Sequence, residues 1–164
     1  MKSLREGTRV SSSKAHEIYV GFDGERNQSL ASWMLNENMV WYLGMMSWRY
    51  LLWAKCYVGE PNTEDYLLTQ KGKKPRLEQV VEYFPQIEAN LKDFADKVKG
   101  IKECLKAGEP IPPLVLSRGR LRHSLWLLDG THRGIACGLL SAGNPNPLDV
   151  TVLISRKMFP WEKK

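Results

Sequence analysis

The chain has 164 residues, a length that suits one domain with a sizeable core, or a core domain with an added helical piece. Its apolar share of 43% and charged share of 26% are those of a folded soluble protein, and neither a bilayer-spanning apolar run nor a secretory signal is seen. The net charge of +6 favours a polyanion as partner.

The three cysteines are dispersed along the chain and form no Cys-x-x-Cys pair. An odd number of distant cysteines predicts neither a disulfide framework nor a zinc site. We therefore expect reduced thiols and a cytoplasmic protein with no membrane association.

The beginning of the chain is polar. Residues 1–15 predict a loose arm. The stretch from His16 to Phe22 predicts a short strand, and Asp23-Gly24 predicts the turn that ends it.

Residues 28–57 form the most tryptophan-rich part of the sequence. Large apolar side chains recur there at the helical intervals of three, four and seven residues: Leu30, Met34, Trp41, Met45, Trp48 and Leu52. Gly44 could divide the stretch into two helices. Such a stripe suits a core or an oligomer interface, because Trp and Met are common in both. We favour the core, with part of the surface given to a partner, so that residues 1–60 are an arm and a helical extension packed on a core domain. A homo-oligomer through these helices is one form of that partner.

The middle of the chain predicts one strand, a basic loop and two helices. Asp65–Thr69 is a candidate first strand, and Gln70–Arg76 is the basic loop. Apolar residues at helical spacing predict a helix from Leu77 to about Asn90, where Pro85 marks a kink or a boundary. A second amphipathic helix covers Phe94 to Leu105 and is ended by a glycine.

A hairpin is predicted after the strand Leu114–Leu116, with its turn at Arg118-Gly119-Arg120. Three alternating arginines share one face of an extended chain in this hairpin: Arg118, Arg120 and Arg122. They could form a sheet edge that is charged against aggregation. They could equally form a ridge that contacts phosphates, which would make DNA the partner. Both interpretations stay open.

The stretch from Leu125 to Gly138 predicts a strand, a tight turn and the start of a helix. Gly130 permits a positive φ or the close approach of a ligand, and Thr131 could cap the helix through its hydroxyl. His132 and Arg133 then occupy the first helical turn, where the helix dipole disfavours cations. Two cationic side chains beside backbone N–H groups indicate a bound anion, most often a phosphate. The simpler interpretation is an arginine that pairs with a carboxylate.

The last part of the chain predicts a strand and a basic tail. Apolar and polar residues alternate from Leu148 to Ile154, which is the pattern of a strand with one apolar face. Residues 156–164 are the tail, in which Phe159 and Trp161 stand among basic residues. The tail could bind nucleic acid through charge and stacking. It could as well return its aromatic side chains to the core.

The order of the helices and strands predicted in the second half of the chain points to a known superfamily. Two helices precede the strand at Ile111–Leu116, and a hairpin leads to Leu125–Leu128, the turn Asp129-Gly130-Thr131-His132-Arg133, a helix and a final strand. This order, with its D-G-x-H-R turn, resembles the ParB/sulfiredoxin superfamily. The resemblance implies an α/β (α+β) domain over residues 61–155, with a small mixed sheet flanked by helices.

The superfamily includes nucleotide-binding partition proteins, sulfiredoxins, free-serine kinases, and plasmid-borne proteins with ATPase or DNase activity. Sulfiredoxins place a cysteine where this chain has Thr131, and a threonine cannot form the sulfur-linked intermediate. Sulfiredoxin activity is therefore not expected. Arg76 resembles an arginine that precedes the first helix of partition proteins, which implies that it reaches the bound phosphates.

The residues of the motif allow phosphate chemistry, which needs an anion clamp, a metal and a group that orients the nucleophile. The backbone from Gly130 to Arg133, with the side chains of Thr131 and Arg133, would clamp ATP or another nucleotide. Asp129 is the expected Mg²⁺ ligand. Asp129 and His132 are the expected catalytic residues, and His132 could also contact a phosphate.

Three functions compete. The first is a nucleotide-binding phosphohydrolase, an ATPase and/or DNase. The second is a free-amino-acid (serine) kinase of the same fold, and the third is a noncatalytic DNA-binding adaptor. The basic composition and the hairpin arginines favour the first.

Overall fold

The structure is a computed structural model that describes residues 4–23, 28–36, 38–56, 75–119, 124–142 and 148–157. Six strands lie within these residues: β1 Leu4–Val10, β2 Met39–Ser47, β3 Lys55–Cys56, β4 Leu114–Arg118, β5 Leu125–Asp129 and β6 Asp149–Lys157. Seven helices accompany them: α1 Ser12–Asp23, α2 Gln28–Met34, α3 Trp48–Leu51, α4 Leu77–Glu82, α5 Phe84–Asn90, α6 Lys92–Lys106 and α7 Thr131–Ser141. The predicted mixed α/β class is confirmed. None of these helices combines the length and the apolar composition that crossing a membrane requires.

The six strands form one mixed sheet in the order β1-β2-β6-β4-β5-β3. Strands β4 and β6 are parallel, as are β3 and β5, and the other neighbours are antiparallel. The longest pairing joins β2 to β6, from Met39 opposite Lys157 to Ser47 opposite Asp149. The sheet therefore crosses the boundary that the sequence predicted near residue 60, because β1, β2 and β3 precede that residue and β4, β5 and β6 follow it.

Helices cover both faces of the sheet. On one face, α3 to α7 enclose the larger cluster of buried side chains, to which Leu116, Leu127 and Ile154 contribute. On the other face, α1 and α2 cover a smaller cluster that includes Val115 and Leu153. Neighbouring residues of β4 and β6 thus enter opposite clusters, as the period of two along a strand requires.

Among the described residues of the predicted helical stretch 28–57, only α2 and α3 are helical, and residues 39–47 between them are strand β2. The prediction was wrong there for a physical reason. Trp41 and Met45 are four residues apart, and side chains at that spacing lie on the same face of a helix and also on the same face of a strand. Most of β2 is buried on both faces, so it lacks the polar alternation that marks a half-exposed strand. Gly44 lies inside the strand and divides no helix.

The beginning of the chain also differs from its prediction. Residues 4–10 are a strand, not a loose arm, and the predicted strand His16–Phe22 lies inside α1. The backbone N–H of Lys14 donates to the Ser11 hydroxyl, which caps the helix just before its first residue. Ala15 and Tyr19, four residues apart, are buried in the smaller cluster. Burial of this helical face outweighs the strand preference of the β-branched residues nearby.

The second half of the chain follows the predicted order more closely. The helix predicted from Leu77 to Asn90 is divided into α4 and α5 at Tyr83, two residues before Pro85. The following helix, α6, ends shortly before Gly108, which has a φ of +76°. Strands β4 and β5 pair in antiparallel fashion, as the hairpin predicts. Strand β6 extends to Lys157 because its last residues pair with Met39 and Val40, so the tail predicted at 156–164 begins later. The rest of that tail, and the candidate strand Asp65–Thr69, lie outside the described residues.

Candidate functional site

The turn between β5 and α7 is built around Gly130. Its φ of +97° and ψ of 26° lie in the left-handed region, which favours glycine. A Cβ atom on this residue would stand 2.5 Å from Cδ2 of the buried Leu114. The Gly130 carbonyl accepts from the backbone N–H of Gly134 over 2.8 Å, which begins the helix. Of the two roles that the sequence allowed for Gly130, a positive φ or the close approach of a ligand, the positive φ is confirmed.

Thr131 does not take the capping position that the sequence predicted. Gly130 is the N-cap, and Thr131 is the first residue of the helix. The left-handed turn directly after Asp129 makes Gly130 the last non-helical residue. The cap therefore comes from a residue without a side chain, and no side-chain hydrogen bond caps α7.

Arg133 and Asp129 form an ion pair across this turn. Nη2 of Arg133 donates to Oδ2 of Asp129 over 2.7 Å, and the two side chains are 9% and 29% exposed. Hydrogen bonds between ionised partners are short and strong, so the carboxylate holds the guanidinium in one orientation. The pairing of Arg133 with a carboxylate, which the sequence also allowed, is present, and the partner is the motif's own aspartate.

His132 turns toward a neighbouring helix. Its ring lies 4.3 Å from the ring of Phe94 in α6, measured between centroids, with 40° between the two planes. Its Nε2 atom is buried. The sequence placed Phe94 only on the apolar face of a helix. Its contact with His132 requires α6 to pack on α7, and no local pattern encodes that.

Two glycines let α7 approach its neighbours closely. A Cβ atom on Gly138 would stand 2.3 Å from the Trp48 ring and 2.6 Å from the Val81 side chain, and one on Gly134 would stand 3.0 Å from Leu77. The slim side of the helix therefore faces α3 and α4 as well as the sheet. This packing fixes where the Asp129–Arg133 pair lies relative to α4.

Cys137 lies one turn after Arg133 and is fully buried. Burial raises the pKa of its thiol to about 11, against a smaller lowering by the positive charge of Arg133. The thiol stays protonated near neutral pH and is a poor nucleophile.

Arg76 lies immediately before α4. Its backbone N–H donates to Oε1 of Gln79 over 2.9 Å, and its guanidinium lies 4.6 Å from the centre of the Trp53 ring. Leu77, the next residue, contacts α7 near Gly134. The structure thus brings α4 to α7 but directs the Arg76 guanidinium to Trp53. The contact with bound phosphates that the resemblance implies for Arg76 stays a prediction.

Arg118 is the hairpin arginine within the described residues, and it stands away from the motif. Arg118 is the last residue of β4 and pairs with Leu125, the first residue of β5. Asp129 is the last residue of β5, four residues further on, or about 13 Å along an extended strand. Arg120 and Arg122 lie outside the described residues. Arg118 is therefore not part of the arrangement around Asp129 and Arg133.

The structure describes no preformed cluster of metal ligands. Within the described ranges, no group of three or more His, Cys, Asp or Glu side chains is close enough to hold an ion. Mg²⁺ is usually held by one or two carboxylates together with water and substrate phosphates. Asp129, which is partly exposed at the turn, is the carboxylate that could serve it.

Comparison of the chain with protein-family models, with curated proteins and with solved structures gives no match.

Proposed function

We propose that the chain binds a nucleotide at the start of α7 and hydrolyses a phosphate ester there, with ATP or DNA as the substrate. The observation that carries the proposal is the buried Arg133 guanidinium, oriented by Asp129 at the amino end of an 11-residue helix. The first turn of that helix has no acidic residue. The positive end of a helix dipole together with a fixed arginine attracts phosphate.

Each residue of the motif has a role in this proposal. The left-handed Gly130 begins α7 directly after Asp129, and the N–H groups of the first turn are the backbone donors offered to a phosphate. Arg133 offers the planar donor fork that suits phosphate oxygens, and Asp129 fixes the plane of that fork. His132, packed on Phe94, contacts a phosphate or exchanges a proton with the substrate. Mg²⁺ held by Asp129 would neutralise charge that grows near the leaving oxygen.

A noncatalytic nucleotide- or DNA-binding adaptor is the second candidate. The 2.7 Å ion pair favours the adaptor, because it joins Asp129, the proposed metal ligand, to Arg133, the proposed phosphate clamp. In that case Asp129 serves only to orient Arg133. Either function suits a protein of the cytoplasm. Nucleotides are abundant there, and the free thiols of Cys56, Cys104 and Cys137 stay reduced.

Calorimetric titration with ATP tests the site. Arg133→Ala should weaken ATP binding by roughly 1.5–3 kcal/mol, which is the range for hydrogen bonds to charged groups. Arg49→Ala is the matched control, because Arg49 is an exposed arginine on α3. Equal ATP affinity in the wild type and Arg133→Ala would remove the site assignment.

Turnover measurements with Mg²⁺, with Mn²⁺ and with a chelator then separate hydrolysis from binding. His132→Ala should lower the hydrolysis of ATP or DNA by about 10²- to 10⁴-fold, the usual contribution of a general acid or base, and leave most of the binding. Asp129→Ala should abolish hydrolysis and also weaken binding, because it releases Arg133. A wild type that binds ATP or DNA but hydrolyses neither under any condition would favour the adaptor.

A further inference from the structure

Four side chains at one edge of the sheet form two cation–ring pairs, and the two cations lie side by side between the rings. Nζ of Lys55 lies 5.1 Å from the centre of the Trp126 ring, and the guanidinium of Arg76 lies 4.6 Å from the centre of the Trp53 ring. Lys55 and Arg76 face each other in an antiparallel bridge. The order Trp126, Lys55, Arg76, Trp53 is named here the aromatic–cation row.

Strand pairing sets the row on one side of the sheet. Lys55 pairs with Trp126 in the parallel ladder of β3 and β5, and paired residues point to the same face. Their neighbours Cys56 and Leu127 point to the other face, into the cluster beneath α7. The row therefore lies on the opposite side of β5 from the helix that carries Arg133.

The row is open to solvent. Trp53 is 58% exposed and Arg76 is exposed, while Lys55 and Trp126 are partly exposed. Its four side chains carry two positive charges and no negative one. An exposed tryptophan held beneath an arginine offers a flat apolar surface next to a cation.

We propose that the aromatic–cation row binds single-stranded nucleic acid. Unpaired bases stack on exposed aromatic rings, and neighbouring cations contact the phosphates between them. A duplex does not fit this surface, because its bases are already stacked on one another. The chain's net charge of +6 attracts the same polyanion over a longer range. The proposal is independent of nucleotide hydrolysis, since it involves no residue of the Asp129–Arg133 turn.

Fluorescence anisotropy with labelled oligonucleotides of about a dozen nucleotides tests the stacking. The probes are oligo-dT, oligo-U and an abasic strand of equal length and charge, with a DNA duplex for comparison. Trp53→Ala should weaken binding of the base-bearing strands about 5- to 100-fold, and hardly change binding of the abasic strand. Tyr83→Ala is the matched control, because Tyr83 is 48% exposed and lies outside the row.

The salt dependence tests the two cations. Lys55→Gln and Arg76→Gln should each lower the slope of log affinity against log salt by about 0.7, the value per phosphate of a single strand. Arg76→Gln keeps the backbone N–H that donates to Gln79. Arg9→Gln, at an exposed position of β1 on the opposite edge of the sheet, should leave the slope unchanged.

Several results would overturn the proposal. The first is equal affinity for abasic and base-bearing strands, and the second is an equal loss of affinity in Trp53→Ala and Tyr83→Ala. The others are a higher affinity for the duplex than for single strands, and the absence of binding at low salt. A sedimentation coefficient that rises with protein concentration in the wild type but not in Trp53→Ala would assign the row to contact with a second copy instead. Circular dichroism of each variant keeps a folding defect from being taken for lost binding.

Discussion

The start of α7 and the aromatic–cation row share strand β5 but are built in opposite ways. Asp129, Gly130 and Arg133 are consecutive or nearly so in sequence, and Arg133 is only 8% exposed. The row joins residues from position 53 to position 126, and its Trp53 is 58% exposed. A contiguous turn can arrange its own groups through backbone geometry. A row of distant residues exists only after the strands have paired.

This difference determines what a substitution should change. The start of α7 is enclosed by Leu114 and Leu77, so a change there should disturb the packing as well as any bound phosphate. The row covers the sheet edge from outside, so a change there should affect its ligand and hardly the fold. Stability measurements can therefore test the contrast before any ligand is known.

The largest effect is expected from Gly130→Ala. A residue other than glycine is strained at a φ of +97°, and the added methyl would stand 2.5 Å from Leu114. Backbone strain and overpacking each cost about 1–3 kcal/mol, so the free energy of unfolding should fall by about 2–6 kcal/mol. Urea denaturation of the purified protein measures it.

Two other glycines separate these causes. Gly108 also has a positive φ, of +76°, but nothing lies within 4 Å of a Cβ atom there, so Gly108→Ala should show the strain alone. Gly100 lies inside α6, also with open space, and Gly100→Ala should raise stability by about 0.5–1 kcal/mol. If Gly130→Ala costs no more than Gly108→Ala, the turn is not enclosed as described.

Much of the turn could be predicted from sequence because its determinants are local. Gly130 directly after a strand predicts the left-handed turn, and the spacing of four between Asp129 and Arg133 allows their ion pair. The hydroxyl cap at Thr131 was predicted wrongly, because the turn closes one residue earlier than the capping pattern suggests. Nothing local could place the ring of Phe94 on His132.

The first half of the sheet was less predictable. A strand covered on both faces shows a continuous apolar run, so Trp41 and its neighbours in β2 carry no period that distinguishes strand from helix. The row was missed for a related reason. Lys55 and Trp126 are partners only through a parallel pairing of two residues, and such a short edge strand leaves no pattern in sequence.

A smaller effect is expected from Cys56, which follows Lys55 in β3 but points into the core. Burial raises the pKa of its thiol to about 12, against a smaller lowering by a backbone hydrogen bond. A raised folded pKa contributes stability below the unfolded pKa, near 9, and that contribution is lost as the pH rises toward 12. Between pH 9 and 10.5, the wild type should therefore lose about 2 kcal/mol more stability than Cys56→Ala.

The measurement is urea denaturation of both proteins across that range. The difference between them at pH 7, where the thiol is protonated in the folded and unfolded states, gives the constant cost of the lost side chain. Parallel curves from pH 7 to 10.5 would mean that the thiol is accessible to water. In that case the Cys56 face of β3 would be open to water, like the Lys55 face, and not buried in the core.

The smallest effect is expected within the row itself. A cation above an exposed ring contributes about 0.5–1 kcal/mol, so Trp53→Ala and Arg76→Ala should each lower the free energy of unfolding by about that much. A double-mutant cycle isolates the contact: the two changes together should cost about 0.5–1 kcal/mol less than the sum of the single changes. Trp53→Ala with Arg9→Ala, at the opposite edge of the sheet, is the control pair and should be additive. A cost above about 2 kcal/mol for Trp53→Ala would place the ring in the core. The exposed surface that the nucleic-acid proposal requires would then be lost.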